Sequence, residues 1–128
     1  MATTPRPTPA ELEILSGLWE RGPSTVRDVQ ERLERERPTG YTTALKLLQI
    51  MADKGLVARD ETERAHVYAA NVAEGETQRQ LVRELLDRAF GGSAAKLVMH
   101  ALSGQQATPE EIADIRQILD EMETGSEQ

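Results

Sequence analysis

The 128-residue chain contains no cysteine, which excludes disulfides, thiolate metal sites and cysteine nucleophiles. Aromatic residues make up only 3% of it, so a core has to be built from Leu, Ile, Val and Ala, a composition that favours helices. The only histidines, His66 and His100, are far apart, and no metal site is expected at such spacing. No apolar run approaches the roughly 20 residues that cross a bilayer, and the opening MATTPRPTP is polar and proline-rich, unlike a signal peptide. A soluble cytoplasmic protein with no membrane partner is therefore expected. A glycine-rich phosphate loop, a nucleophile beside a base and a carboxylate pair in a cleft are also missing, so neither an enzyme nor a cofactor is expected.

An excess of positive charge is lacking too: the net charge is −7 and the pI about 4.9. That balance opposes a nucleic-acid partner until it is divided. Residues 1–72 hold ten Lys and Arg against eleven Asp and Glu, whereas residues 73–128 hold five against eleven. The acidity is C-terminal, and a near-neutral N-terminal part can still present a local basic face.

What is present is centred on YTTALKLLQIMADKG, residues 41–55. Ala44, Leu47, Leu48 and Met51 recur at i, i+3, i+4 and i+7, one apolar stripe of a helix. The other face carries Thr42, Thr43, Lys46, Gln49 and Ile50. Thr39 after Pro38 is placed to cap the helix start, and Gly55 to end it in a left-handed conformation. Small hydrogen-bonding side chains on the first turns suit a DNA major groove, although an ordinary amphipathic surface helix has the same pattern.

Before it, Met1–Pro7 reads as a loose arm. Thr8, Pro9 and Glu11 form a capping box at the start of a helix striped by Leu12, Leu15, Leu18 and Trp19 and ended by Gly22-Pro23. Pro23-Ser24 is a brief extended link. Thr25 and Asp28 repeat the box for a second helix, with Val26, Val29 and Leu33 buried, running to about Arg37. Residues 38–40 make a short turn into the third helix. After Gly55 the period changes from 3.6 to 2: LVARD and RAHVYA alternate, setting Val57 and Arg59 opposite Leu56 and Ala58, and DETER between them is a polar hairpin loop. Three helices followed by a hairpin is the winged-helix order, in which Arg59, Arg64 and His66 become candidates for phosphate contact; the alternative for each is plain surface charge.

The C-terminal part, residues 73–128, carries Leu81, Val82, Leu85, Leu86, Ala89 and Phe90 at helical spacing up to Gly91-Gly92. Leu97, Val98, Ala101 and Leu102 mark a second helix. Thr108, Pro109 and Glu111 cap a third, with Ile112, Ile115, Leu119 and Met122 as a seam. Three short helices cannot wrap a private core of any size, so these stripes call for a second copy of the chain; folding back on the first domain is the alternative. The expected interface is Leu81, Leu85, Phe90, Leu97, Ile112, Ile115, Leu119 and Met122. The acidic tail at residues 123–128 is expected to be disordered. The fold class expected is mainly α, with an α+β winged helix over residues 1–72, a β-hairpin wing, and a helical dimerisation domain over residues 73–128.

Leu12, Glu13, Leu18 and Trp19 followed by Gly22-Pro23, then Tyr41-Thr42-Thr43 with Leu48, KGLV at 54–57 and RAHVY at 64–68 together resemble the penicillinase repressors, the BlaI/MecI/CopY family. The match spans about residues 8–122. The resemblance implies a dimeric winged-helix repressor of β-lactam-resistance or related genes. Its C-terminal helices would pair two subunits on an inverted-repeat operator in double-stranded DNA. Tyr41, Thr42, Thr43, Lys46, Gln49 and Ile50 would form the reading helix, with Thr42 and Thr43 at or near base edges and Lys46 beside them. Two positions depart from the pattern: Ile50 stands where a basic residue is usual, and Asp53 replaces one of the paired lysines before the glycine. The cysteine-bearing copper-responsive branch is excluded. In the family, the resemblance implies, a membrane protease cuts an Asn-Phe bond; LVMHAL places His100-Ala101 there and matches neither residue. Any regulatory protease would then be a different one. The competing reading is a winged helix that binds protein rather than DNA, which Ile50 and the low pI suit.

Overall fold

The computed structural model describes residues 6–62, 64–104 and 107–126. Residues 1–5 of the expected arm, Glu63 of the expected hairpin loop and residues 127–128 of the expected tail lie outside the described residues. The helix α1, Pro9–Arg21, opens with the expected box: the Thr8 hydroxyl accepts from the Glu11 amide at 3.2 Å, and the Glu11 carboxylate accepts from the Thr8 amide at 2.9 Å. It ends at Gly22, whose φ of 87° suits glycine and whose N–H donates to the Leu18 carbonyl. The helix α2, Val26–Glu34, carries the second box between Thr25 and Asp28, with both bonds at 3.1 Å.

The link at Ser24–Thr25 is a strand, β1. It pairs with β3, Val67–Ala70, which also pairs antiparallel with β2, Val57–Asp60, so the sheet has order β1-β3-β2 rather than being a lone hairpin. Strict alternation fails over LVARD: Leu56, just before β2, and Val57, its first residue, are both buried and the next three residues exposed. The strand leaves the core after one residue and continues into the wing, so only its root has a face to bury.

The helix α2 stops at Glu34 rather than Arg37. The amides of Glu36 and Arg37 both turn back to the Leu33 carbonyl, and Pro38 disfavours a helical residue before it. Thr39 does not cap α3, Tyr41–Lys54; Gly40 occupies the cap without a side-chain bond. The Thr39 hydroxyl is engaged with the Arg37 carbonyl at 3.0 Å, its amide with the Glu34 carboxylate at 2.7 Å, and its carbonyl with the Gln30 amide at 2.9 Å. Those bonds fix the turn and leave no group to cap with. Gly55 ends α3 at φ 83° in the left-handed region, as expected.

The core joins Ile14, Leu15 and Leu18 of α1, Val26, Val29 and Leu33 of α2, Ala44, Leu48 and Met51 of α3, then Leu56, Val57 and Tyr68. Each large member contributes on the order of 1.5–3 kcal/mol by leaving water. In α1 the buried line is Glu11, Ile14, Leu15 and Leu18, so Leu12 sits half-buried on its flank. Trp19 is half-buried against the core and donates from Nε1 to the Val72 carbonyl at 2.9 Å.

The described residues fall into two compact units, divided between Val82 and Arg83. That division lies inside α4, Glu74–Ala89, which is followed by α5, Ala94–Gly104, and α6, Pro109–Ser126. After α4, Gly91 and Gly92 both have positive φ, and the Gly92 N–H caps the Leu86 carbonyl at 2.8 Å. Thr108 and Glu111 box the start of α6 with bonds of 3.1 and 3.0 Å. The acidic tail is not disordered from residue 123, because α6 continues to Ser126. Glu123 is one turn beyond Leu119, and the exposed helix carries the chain through it. Neither α5 nor α6 buries a described side chain, and Val98, Met99, Leu102, Ile112, Ile118, Leu119 and Met122 are all exposed. Among the described residues no helix is long and apolar enough to cross a membrane.

Candidate nucleic-acid interface

The side of α3 away from the core exposes Tyr41, Thr42, Thr43, Lys46, Gln49, Ile50 and Asp53. Their separation from the buried Ala44, Leu48 and Met51 follows from 3.6 residues per turn. The first turn contains no acidic residue, so the positive end of the helix dipole is left open beside Thr42 and Thr43. Lys46 is the one cation on the middle of this face, and Lys54 at the end is turned elsewhere: its Nζ donates to both Glu11 carboxylate oxygens at 2.9 Å. Burial alone pushes the Glu11 carboxyl up, but the Thr8 amide and the Lys54 ammonium together hold it below its ordinary value.

Between α3 and the wing runs a cleft of about 500 Å³. Tyr41, Leu45 and Gln49 of α3 form one wall, Arg59, Arg64, Ala65, His66 and Tyr68 the other, and Thr25, Val26 and Arg27 the end. The structure thus brings Tyr41, Gln49, Arg59, Arg64 and His66 together. Thr43 lies on a different groove, with Leu47, Pro38, Thr39 and the first turn of α1. Thr42, Lys46 and Ile50 line neither.

Arg27 was not singled out from sequence. It follows the capping Thr25 at the start of the helix preceding the reading candidate, and that position was the available signal. It carries an exposed i,i+4 contact with Glu31 at 3.5 Å, worth little in water. Arg59 is ion-paired with Glu61 on the wing. Asp60 accepts from the Thr62 amide at 2.9 Å, and that bond holds its carboxyl below the ordinary range. The wing therefore mixes Arg59, Arg64 and His66 with the carboxylates of Asp60 and Glu61. Among the described residues no group of His, Cys, Asp or Glu could hold a metal ion.

The residues expected to pair subunits divide by exposure: Leu85, Ile112, Leu119 and Met122 are exposed, while Leu81, Phe90, Leu97 and Ile115 are half-buried. The Phe90 and His100 rings lie 5.8 Å apart at a tilt of 43°. Val82, Met99 and Ile118 add exposed apolar surface beyond that set.

The family model described as "Penicillinase repressor" matches residues 7–121. The chain is 33% identical over 127 residues to "Transcriptional regulator BlaI" of Mycobacterium tuberculosis, covering 98% of this chain and 91% of that protein. It is 26% identical to "Penicillinase repressor" of Bacillus licheniformis, covering 94% of each. Among solved structures it is similar to the DNA-binding domain of the repressor BlaI in solution, with TM-score 0.52 and 24% identity, covering 59% of this chain and 93% of that one. The Bacillus licheniformis BlaI monomeric form in complex with the blaP half-operator gives TM-score 0.51 and 24% identity, with the same coverage.

Proposed function

The chain belongs to the penicillinase repressor family and is a DNA-binding transcriptional repressor; from that premise we propose that it works in the cytoplasm as a homodimer on an inverted-repeat operator. In this reading α3 enters the major groove, with Thr42, Thr43, Lys46 and Gln49 at base edges, while Arg27, Arg59, Arg64 and His66 hold the phosphates on the wing side. The observation that carries it is the exposed hydrogen-bonding face of α3 beside a cleft lined by three arginines. A relative, BlaI of Bacillus licheniformis, has been solved in complex with the blaP half-operator, which supports duplex DNA as the partner here.

The partner surface is supplied by residues 73–122, whose leucine, isoleucine and methionine side chains include several that are exposed among the described residues. Pairing would set two winged helices about one DNA turn, roughly 34 Å, apart. Two weak half-site binders joined in this way gain affinity by raising each other's effective concentration. Release by cutting at His100-Ala101 is not part of the proposal: the bond lies in the middle of α5, and a small Ala101 fills no aromatic pocket.

Binding to a fluorescent duplex across a salt series tests the function. A half-site duplex and the palindrome built from it should differ in affinity, and both should weaken steeply with salt. Salt-independent binding, or none, would instead favour the protein-binding winged helix.

A further inference from the structure

We propose that Ile50 is a specificity-determining residue that packs on the 5-methyl group of a thymine in the bound operator. The inference rests on α3 being the reading helix, as proposed above. Thr43, Lys46, Ile50 and Asp53 follow one another at three- and four-residue steps and form one line along the outward side of α3. At 1.5 Å per residue, Thr43 to Ile50 covers about 10 Å of the helix axis. Three of the four carry a hydroxyl, an ammonium and a carboxylate, which can meet the polar atoms of base edges. Ile50 can meet none.

Ile50 is 39% exposed, and it is not among the hydrophobic residues packed on the core, whereas its α3 neighbours Leu45 and Leu47 are. Core packing therefore does not account for it. In the major groove every base edge offers polar donors or acceptors, and thymine alone among the four bases adds an apolar methyl. Setting a branched aliphatic chain over guanine or cytosine would cover polar atoms without bonding them, a penalty for those bases. Over thymine it removes apolar surface from water on both sides. The line has one cation and one anion, so it gains little net attraction to phosphate, and discrimination by shape and methyl contact takes a larger share.

The experiment uses the full chain and duplexes enriched by it from a random library. Each thymine of the enriched duplex is replaced in turn by deoxyuridine, which keeps base pairing and removes only the methyl. With the natural protein, one thymine per half-site should show a loss of about threefold to tenfold. Ile50→Ala, which preserves helix propensity, should bind the thymine duplex more weakly and show no loss at that position; Ile50→Val should retain part of it. Loss of equal size in Ile50→Ala, or no methyl-sensitive thymine in an enriched duplex, would overturn the assignment while leaving α3 as reader. Failure to enrich any duplex would overturn the recognition-helix reading, and this assignment with it.

Discussion

Lys54, the last residue of α3, grips both carboxylate oxygens of Glu11 in the first turn of α1 at 2.9 Å each. Glu11 is only 2% exposed, while the lysine side chain remains about one-third exposed. One carboxylate therefore caps α1 and anchors the end of α3. Glu11→Gln should lower stability by about 1–3 kcal/mol, reduced from the cost of a fully buried pair because Lys54 can turn to water. Urea unfolding at neutral pH measures it, and an unchanged midpoint would show that the pair is dispensable.

Acid should destabilise the N-terminal unit through groups that include Glu11 and Asp28. Hydrogen bonds hold Glu11 and Asp28 below their ordinary values of 4.5 and 3.8, for Asp28 chiefly the bond from the Thr25 amide. In both cases the unfolded chain binds the proton at higher pH than the folded one, so the stabilisation is full above those ordinary values and is lost as pH falls through the folded ones. Urea midpoints should drop below about pH 4.5, and the Glu11→Gln, Asp28→Asn double variant should show a shallower drop.

Cations on the wing wall of the cleft and on α3 should separate by their effect on DNA. Lys46→Ala should cost about 1–3 kcal/mol on the operator and less on random duplex. Arg59→Ala and Arg64→Ala should weaken all duplexes alike and flatten the salt slope by about one unit each. Equal losses on both duplexes for Lys46→Ala would demote it to a phosphate contact.

Glu61 should act in the opposite sense. Its carboxylate pairs with Arg59, so phosphate has to compete for that guanidinium. Glu61→Gln is expected to tighten operator and random duplex together and to steepen the salt slope. Weaker binding in that variant would mean that Glu61 serves to position Arg59 for DNA.

In the C-terminal unit, Leu119 is 56% and Met122 66% exposed. If these side chains meet a second copy, Leu119→Asp should move sedimentation at micromolar concentration from dimer to monomer and reduce palindrome binding more than half-site binding. A natural chain that already sediments as a monomer would refute the pairing proposed for residues 73–122.

Local chemistry explains which elements were legible in the sequence. The boxes Thr8–Glu11, Thr25–Asp28 and Thr108–Glu111 and the left-handed Gly55 depend on residues a few positions apart, and the order of helices and wing followed from them. The outward side of α3 was readable because Ala44, Leu48 and Met51 define the inward one. The strand β1 was not, since two residues show no period and their pairing with Val67 and Tyr68 is set by the folded chain. The second role of Glu11 was hidden for a similar reason: its partner Lys54 is 43 residues away. Thr39 had the right identity and spacing for a cap, but competing bonds in its own turn took the hydroxyl and the amide. The pairing of Arg59 with Glu61 lay in plain view as neighbouring opposite charges, yet charge spacing alone does not say which contacts close.

The bond from the Trp19 indole to the Val72 carbonyl makes the chain its own optical gauge. Trp19 is the only tryptophan of the 128 residues, and Val72 stands just after the wing and two residues before α4 begins. Emission excited at the red edge, where the two tyrosines do not absorb, is thus emission from one ring, half-buried against the core, with its N–H committed to the segment that leads out of the winged helix. Anything that lifts that segment from α1 exchanges a backbone carbonyl for solvent at the indole and changes its colour, whether the cause is denaturant, a pull along α4 or the docking of DNA, without a label being attached.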